Sequence, residues 1–235
     1  MDEHTEPPPT ADSATSERHA EIRASARTHF NRWALNYDRS WLNELVFFPS
    51  IRICQEEILR WQGQRGGGPF RMLDVGCGTG TLINMVACWE DAEELVGLDY
   101  SPVMVRNLKK KIEASPDAEK LRAVEGDSEH LPFEDGAFDV LTCCNSFHHY
   151  PHQEAVIREF HRVLRPGGLL ILVDGFRDNV IGWLIFDVFV TGIEKDVHHA
   201  LWSAVRDMIR GAGLTGLRQR KLNVLAPLLV SVARR

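Results

Sequence analysis

The chain has 235 residues, 44% of them hydrophobic, which is enough for one α/β domain with a full core. Its 27 basic and 33 acidic residues give a formal net charge of −6. This balance lacks the basic excess of a nucleic-acid-binding protein, so we expect a small-molecule substrate and no nucleic-acid partner. The sequence does not indicate an oligomeric state.

The sequence favours a cytoplasmic location. Its five cysteines are odd in number and include no C-x-x-C pair, which predicts reduced thiols. The N-terminus has neither the basic nor the apolar segment of a secretory signal. No stretch reaches the ~18 consecutive apolar residues of a membrane-spanning helix, so we expect no stable membrane anchoring.

Two segments precede the first predicted strand. Residues 1–15 are rich in Pro, Ser, Thr and acidic residues, which predicts a disordered tail. Residues 16–69 are predicted to form helices that cap the active site, and one apolar stripe at helical spacing includes Tyr37. We expect Pro49-Ser50 to interrupt these helices and residues 63–69 to link them to the first strand.

Residues 70–80 combine a strand, a glycine turn and the start of a helix. The apolar run over 70–75 predicts a buried parallel strand. Gly76, Gly78 and Gly80 follow at every second position, where glycine permits positive φ and close approach of a ligand. Apolar residues then recur at helical spacing, so the turn opens a helix whose free N–H groups can face an anionic group.

Carboxylates follow the next two apolar runs. The run over 95–98 ends in Asp99, where a carboxylate can accept hydrogen bonds from two ribose hydroxyls. The run over 121–124 leads to Asp127. Between them, Ser101-Pro102 predicts a helix start, with Ser as N-cap and Pro at the first helical position.

The rest of the chain is predicted to complete a doubly wound, mostly parallel sheet with its ligand at the carboxyl ends of the strands. The predicted elements are a fourth strand over 138–144, a helix over 155–164 that stops at 165–168, a fifth strand over 169–173, an apolar insert over 179–196, a helix carrying an apolar stripe from Val197 to Ile209, and two strands over 214–222 and 225–232.

Four stretches resemble the class I S-adenosylmethionine-dependent methyltransferases, and within them the ubiquinone/menaquinone biosynthesis methyltransferases. They are 73–80, 97–102, 126–139 and 162–168, and together they span most of residues 70–175. The resemblance implies an α/β Rossmann-like fold with seven strands, the last antiparallel, and an N-terminal helical extension. It also implies S-adenosylmethionine as cofactor, bound by a domain over 70–235.

The resemblance also implies roles for individual residues. Asp74 and the Gly76–Gly80 backbone would hold the methionine part of the donor, Asp99 the ribose and Asp127 the adenine amino group. Tyr37 lies in a Tyr-Asp element like the one that closes over the donor in this family. The expected donor-binding residues are Tyr37, Asp74, Gly76, Cys77, Gly78, Gly80, Asp99, Tyr100, Asp127, Ser128 and Asn145. Taken singly, each aspartate also fits a helix N-cap or a turn.

Few catalytic side chains are required, because the donor's methyl group is already activated and the protein mainly positions the acceptor and excludes water. Asn145 and Ser146 follow the fourth strand, where donor and acceptor should meet. His149 and His148 come next and are candidates for a general base. The resembled family often carries such a pair without a base role, so we expect only a small loss of rate when either is replaced.

Metal and thiol chemistry are not expected. His148 and His152 are four residues apart, but Pro151 opposes a regular helix across them and no third ligand is apparent. Cys143 and Cys144 point to opposite sides of a strand, so at most one faces the cleft, and buried structural thiols are the default.

The apolar insert over 179–196 is predicted to be a lid. It carries more apolar surface than one helix face can bury, and it follows the fifth strand at the edge of the sheet where an acceptor must enter. Packing against the N-terminal helices would explain most of its residues. We expect Trp183 and Phe186 to form part of the acceptor wall.

The sequence therefore predicts a methyltransferase that transfers a methyl group to carbon or oxygen of a small or medium-sized apolar acceptor. A quinone-ring C-methyltransferase is a narrower alternative. A non-catalytic nucleotide-binding module is another. A dehydrogenase is disfavoured, because Thr81 replaces the last glycine of the G-x-G-x-x-G fingerprint.

Overall fold

The computed structural model describes residues 48–175, 200–224 and 226–235. The helices are α1 (Phe48–Arg65), α2 (Thr81–Val86), α3 (Pro102–Glu113), α4 (Gln153–Val163) and α5 (Trp202–Gly211). The strands are β1 (Phe70–Val75), β2 (Ala92–Asp99), β3 (Leu121–Glu125), β4 (Phe138–Cys144), β5 (Leu164–Gly175), β6 (Thr215–Val224) and β7 (Ala226–Arg234). Short 3₁₀ turns cover Ala118–Lys120 and Phe147–His149.

The strands form one seven-stranded sheet in the order β3-β2-β1-β4-β5-β7-β6. β1 to β5 pair in parallel, whereas β7 is antiparallel to both β5 and β6. The strand order reverses between β1 and β4, and this reversal is where open α/β sheets bind their ligands. The predicted fold class, a mostly parallel seven-stranded sheet with an antiparallel last strand, is confirmed.

Helices cover both faces of the sheet, which makes it doubly wound. One face packs against α4 and α5, with Phe160 and Ile209 fully buried beside sheet residues such as Leu141. The other face packs against α1 and α2, with Ile58 and Ile83 fully buried. Sheet residues with both faces covered are apolar in long runs, which is why the parallel strands read as continuous hydrophobic segments.

The start and end of α1 differ from the expectation. Pro49 lies in the first turn of α1, where its missing N–H costs nothing. The segment before Phe48 lies outside the described residues, so the interruption expected there stays a prediction. The helix continues through Gly63 to Arg65, so the linker into β1 is shorter than predicted. Cys54 and Ile58 of α1 are fully buried, and this packing on the sheet outweighs the weak helix propensity of Gly63.

Two boundaries in the second half also differ. The Arg165–Gly168 stretch ends α4 as predicted but belongs to β5, which begins at Leu164. The extra residues are absorbed by a register shift opposite Phe138 and Val140. The helix α5 begins only at Trp202, because Leu201 has an extended backbone and is 52% exposed.

Several predicted segments lie outside the described residues. They are the tail over 1–15, the helical segment over 16–47 with Tyr37, and the insert with Trp183 and Phe186. The division into tail, cap and methyltransferase domain thus stays a prediction. Among the described residues, no helix is long and apolar enough to cross a membrane.

Candidate functional site

The glycine turn between β1 and α2 is fixed to the end of β2. The N–H groups of Gly76 and Cys77 both donate to the carbonyl oxygen of Leu98, at 2.8 and 3.1 Å. Gly76 has φ +70°, and a Cβ there would collide with Ser146 Oγ and lie 2.7 Å from Tyr150 Oη. Only glycine therefore fits this position, as the sequence predicted.

The open side of the turn is at Gly78. Its φ is +55°, and a Cβ there would meet no atom of the described residues within 4 Å. Cys77 is held differently, because its side chain points toward Gly97, where a Cβ would lie 2.9 Å from Cys77 Sγ. In the described residues, backbone at Gly78 is thus exposed to an approaching ligand, while the Cys77 thiol packs inward. Burial raises the pKa of that thiol well above its usual value.

Asp99 connects the end of β2 to this turn. The Gly78 N–H donates to Asp99 Oδ2 at 2.9 Å, and the Ser101 N–H donates to Oδ1 at 2.8 Å. Burial raises the pKa of Asp99, although these two backbone hydrogen bonds oppose the rise. Each carboxylate oxygen accepts one of these bonds and has capacity for a second, so the two ribose hydrogen bonds expected from sequence remain possible.

Asp74 is a buried carboxyl group inside the sheet. It is 3% exposed on β1, opposite Thr142 of β4 in the register. The Thr142 hydroxyl donates to Asp74 Oδ1 at 2.6 Å. Burial raises the pKa of Asp74 to about 7; the Thr142 hydrogen bond opposes the rise and the charge of Asp99 adds to it. Asp74 is thus buried and Asp99 is half-buried, both have a raised pKa, and a nearby cation would stabilise their ionised forms.

Asp127 lies beyond the end of β3, the strand next to β2. One of its oxygens, Oδ1, accepts the Glu129 N–H at 2.9 Å, and its carbonyl oxygen accepts the His130 N–H at 3.1 Å. This is the turn role that an isolated aspartate would have. Ser128 beside it is 7% exposed. Tyr100, on the other side of the β2 end, is 40% exposed.

The end of β4 brings further side chains to the glycine turn. The Ser146 hydroxyl donates to the carbonyl oxygen of Val75 at 3.2 Å and lies 3.1 Å from Tyr150 Oη. Asn145 has φ +54°, which is uncommon for a residue other than glycine, and its N–H donates to Val173 O at 2.8 Å. Such backbone geometry is often found at functional sites.

α1 also contributes to this part of the site. The Ser50 hydroxyl donates to Asn145 Oδ1 at 3.4 Å, across 95 positions of the chain. Sequence reasoning missed Ser50 and Tyr150. Tyr150 could have been found from its place one residue after the His-His pair, but no local pattern indicates Ser50.

His148 lies in the 3₁₀ turn after β4 and contacts a buried carboxylate on β5. Its Nδ1 is 2.6 Å from Asp174 Oδ1, and its backbone N–H donates to Asp174 Oδ2 at 2.8 Å. The ring centroids of His148 and His149 are 3.9 Å apart. Sequence reasoning missed Asp174, although it directly follows the predicted fifth strand, as Asp99 follows the second.

The predicted residues are therefore brought together only in part. The glycine turn, Asp74 and Asp99 form one connected group, and Asn145 and Ser146 adjoin it. Tyr37, Trp183 and Phe186 lie outside the described residues. Within the described ranges, no group of three or more His, Cys, Asp or Glu side chains could hold a metal ion.

Comparison with known sequences concerns the domain that contains these residues and not their individual roles. Residues 73–172 match a family model described as a methyltransferase domain. A demethylmenaquinone methyltransferase of Staphylococcus aureus is 31% identical over 146 residues, which are 62% of this chain and 58% of that protein. The chain thus spans under two thirds of the length of this curated relative.

Comparison with solved structures concerns the fold alone, because the identities are low. An S-adenosylmethionine-dependent methyltransferase from Mesorhizobium loti is 19% identical with a TM-score of 0.58, over 72% of this chain and 92% of that one. The [4+2]-cyclase SpnF is 21% identical with a TM-score of 0.61, over 72% of this chain and 75% of that one. One fold can thus carry different activities, and the site must decide between them. Residues 73–172, less than half of the chain, are therefore similar to a methyltransferase domain, and they contain the glycine turn with Asp74 and Asp99.

Proposed function

We propose that the protein transfers the methyl group of S-adenosylmethionine to carbon or oxygen of a small or medium-sized apolar acceptor. The single observation that carries this proposal is that the buried Asp74 and the half-buried Asp99, both with raised pKa values, lie beside a positive-φ glycine turn. The donor is a sulfonium ion that also carries an ammonium group. A cation of this kind relieves the unfavourable burial of two acidic groups, and a dinucleotide, which brings a negatively charged pyrophosphate, does not.

The proposed roles follow from the positions of these groups. Asp74 would face the ammonium end of the donor, and Asp99 would accept hydrogen bonds from the ribose while it keeps Gly78 in place. Asp127, beyond the end of the neighbouring strand β3, would accept a hydrogen bond from the adenine amino group. Ser128 would lie beside it.

The reaction itself requires little of the protein beyond orientation. The sulfonium supplies an activated methyl group, so the residues around it position the acceptor in line and exclude water. Asn145 and Ser146, at the end of β4, are the described residues that would lie between donor and acceptor. On the acceptor side we propose a wall formed by Trp183 and Phe186, whose replacement by alanine would raise the acceptor KM and leave donor affinity unchanged.

A ring-carbon methylation of a quinol is a narrower candidate. The 31% identity to a demethylmenaquinone methyltransferase favours it. In such an acceptor the phenolic oxygen would activate the ring carbon, and a lipid tail would need an apolar channel. The non-catalytic module remains the rival of a different class, because the fold alone does not specify a reaction.

One experiment separates these candidates. The protein is incubated with methyl-labelled S-adenosylmethionine and a panel of phenols, naphthols and reduced demethylmenaquinone in detergent, and the products are analysed by mass spectrometry. We expect label in an acceptor, with an equal amount of S-adenosylhomocysteine, and much less of both with Asp99→Ala at a limiting donor concentration. Donor binding without transfer to any member of the panel would instead favour the non-catalytic module. Label in the quinone ring alone would select the narrower candidate.

A further inference from the structure

Asp174 is a buried carboxyl group that contacts the His148 imidazole. It lies near the end of β5, between β4 and β7, and is 5% exposed. Its Oδ1 lies 2.6 Å from the ring Nδ1 of His148 and accepts the Gly175 N–H at 2.7 Å, and its Oδ2 accepts the His148 backbone N–H at 2.8 Å. A carboxylate this buried, with two bonds to the same residue, fixes both the position and the rotation of the His148 ring.

This contact also selects a tautomer of His148. An ionised carboxylate can only accept hydrogen bonds, so Nδ1 must carry the proton in the 2.6 Å contact with Asp174. In the neutral ring the other nitrogen, Nε2, then keeps its lone pair. An imidazole held in this way by a carboxylate is prepared to accept a proton at Nε2.

The pair lies next to the proposed site of transfer. His148 is two residues beyond Ser146, whose Oγ reaches the carbonyl oxygen of Val75 at the start of the glycine turn. The His148 side chain is 13% exposed, so it is not sealed into the core. Asp174 pairs with Leu229 of β7 within a regular antiparallel ladder, which gives the carboxylate a rigid support.

Three other titratable groups near the His148–Asp174 pair have raised pKa values. Burial raises the pKa of Cys143 and of Tyr150 well above their usual values. The pKa of Cys144 is also raised, by its interaction with Cys54 and by burial. These groups stay protonated through neutral pH, and Asp74 lies deeper in β1. The His149 ring lies 3.9 Å from that of His148 between centroids, which makes His149 the necessary comparison for any test.

We propose, on the basis of the proposed function, that His148 is the catalytic base, that Asp174 is its positioning residue, and that the methyl acceptor is an atom that must lose a proton. The acceptor is then a hydroxyl oxygen or an acidic ring carbon. The new bond forms between that atom and the methyl carbon while the methyl–sulfur bond breaks and its electron pair stays on sulfur. The acceptor's proton passes to Nε2 of His148 and then to water. This assignment departs from the expectation from sequence, which lacked Asp174.

The tautomer is tested without any acceptor. Protein labelled with ¹⁵N-histidine is studied by NMR at pH 8, and the His148 ring is assigned by its absence in His148→Gln. We expect a proton on Nδ1 with a strongly downfield resonance, as for a short charge-assisted hydrogen bond, and its loss or upfield shift in Asp174→Asn. A proton on Nε2 in the wild type, or a ring signal that Asp174→Asn leaves unchanged, would overturn the positioning role.

The base role is tested by kinetics with 2-naphthol or reduced demethylmenaquinone, whichever accepts label. We expect His148→Gln to lower kcat about 100-fold or more, with donor affinity unchanged, and to abolish the acidic limb of the pH profile. Asp174→Asn should lower kcat by a smaller factor and Asp174→Glu should restore part of it. His149→Gln should lose less than His148→Gln, and His161→Gln, on α4 beside Gly213, should behave as wild type.

The outcomes separate this proposal from the proposed function. Full kcat in His148→Gln, with transfer by the wild type intact, overturns the base role alone. A failure of the wild type to bind the donor or to transfer its methyl group overturns the proposed function and the base role with it. If Asp174→Asn does not fold, the wild-type tautomer and the His148→Gln kinetics decide the two parts separately.

Discussion

Replacing Asp74 with asparagine should change how stability depends on pH. The pKa of Asp74 in the folded protein is about 7 against an ordinary value of 3.8, and burial is the main cause. Because the folded pKa is raised, Asp74 favours the folded state fully below pH 3.8, and this contribution is lost as pH rises through 7. Each pH unit in this interval is worth about 1.36 kcal/mol, so the ionised carboxyl costs ~4 kcal/mol above pH 7.

The asparagine variant lacks this titration. Its amide oxygen can still accept the Thr142 hydroxyl, although the new amide N–H groups need partners of their own and can cost ~1–3 kcal/mol at every pH. The difference in unfolding free energy between Asp74→Asn and wild type should therefore shift by about 3 kcal/mol in favour of the variant between pH 5 and pH 8. The difference in unfolding free energy at a single pH is less informative than its change between pH 5 and pH 8.

Urea denaturation of the donor-free protein at pH 5 and pH 8 measures the shift. Asp207→Asn is a matched control, because the Asp207 side chain on α5 is 66% exposed, and it should show little change. If the difference in unfolding free energy between wild type and Asp74→Asn stays constant across this range, the assignment of a strongly raised pKa to Asp74 is wrong.

Donor binding should also release protons near pH 6, because a cation beside Asp74 favours the ionised form of its carboxyl group. Calorimetry in two buffers of different ionisation enthalpy detects this release.

Three further substitutions test other parts of the account. Gly76→Ala should abolish donor binding, because its Cβ would collide with Ser146 in a backbone conformation that alanine rarely adopts; calorimetry measures the loss, and tight binding would show that the turn can rearrange. Asp99→Ala should weaken the donor at least tenfold, since each hydrogen bond to a charged group is worth ~1.5–3 kcal/mol; unchanged affinity in a folded variant would remove Asp99 from the site. Glu57→Ala should destabilise the protein by ~1.5–3 kcal/mol at pH 7, because Glu57 is 3% exposed and accepts a 2.9 Å hydrogen bond from Arg218. Burial alone would raise the pKa of Glu57, but its arginine partners outweigh burial and lower the pKa. The contribution of Glu57 to the unfolding free energy is therefore present above its usual pKa of 4.5 and is lost as pH falls through the lowered folded pKa. Equal destabilisation by Glu57→Ala at pH 7 and pH 3 would contradict this.

Sequence patterns predicted the parts of the site that are formed by residues close to one another in the chain. The glycine turn and Asp99 could be predicted, because a strand, a turn and an acidic strand end each have a short-range pattern. The same pattern was present at Asp174, directly after an apolar strand, but its partner His148 became visible only through the pairing of β4 with β5. A contact between residues 26 positions apart depends on the register of two strands, which the sequence does not display.

The predicted boundaries of α1 were wrong for a related reason. Gly63 is locally unfavourable in a helix interior, yet the burial of Cys54 and Ile58 holds α1 together over Phe48–Arg65. Tertiary packing overrides local propensity where an apolar face has a sheet to cover. Ser50 became part of the site because α1 packs against the end of β4, where its hydroxyl meets Asn145.

Calorimetric titration of the protein with S-adenosylhomocysteine and, separately, with NAD decides whether the glycine turn and Asp99 bind a methyl donor. We expect one site per chain for S-adenosylhomocysteine, far weaker binding of NAD, and at least a tenfold loss of affinity for Asp99→Ala. Tighter binding of NAD, or no binding of S-adenosylhomocysteine to the folded wild type, would contradict the assignment of the glycine turn and Asp99 to a methyl-donor site.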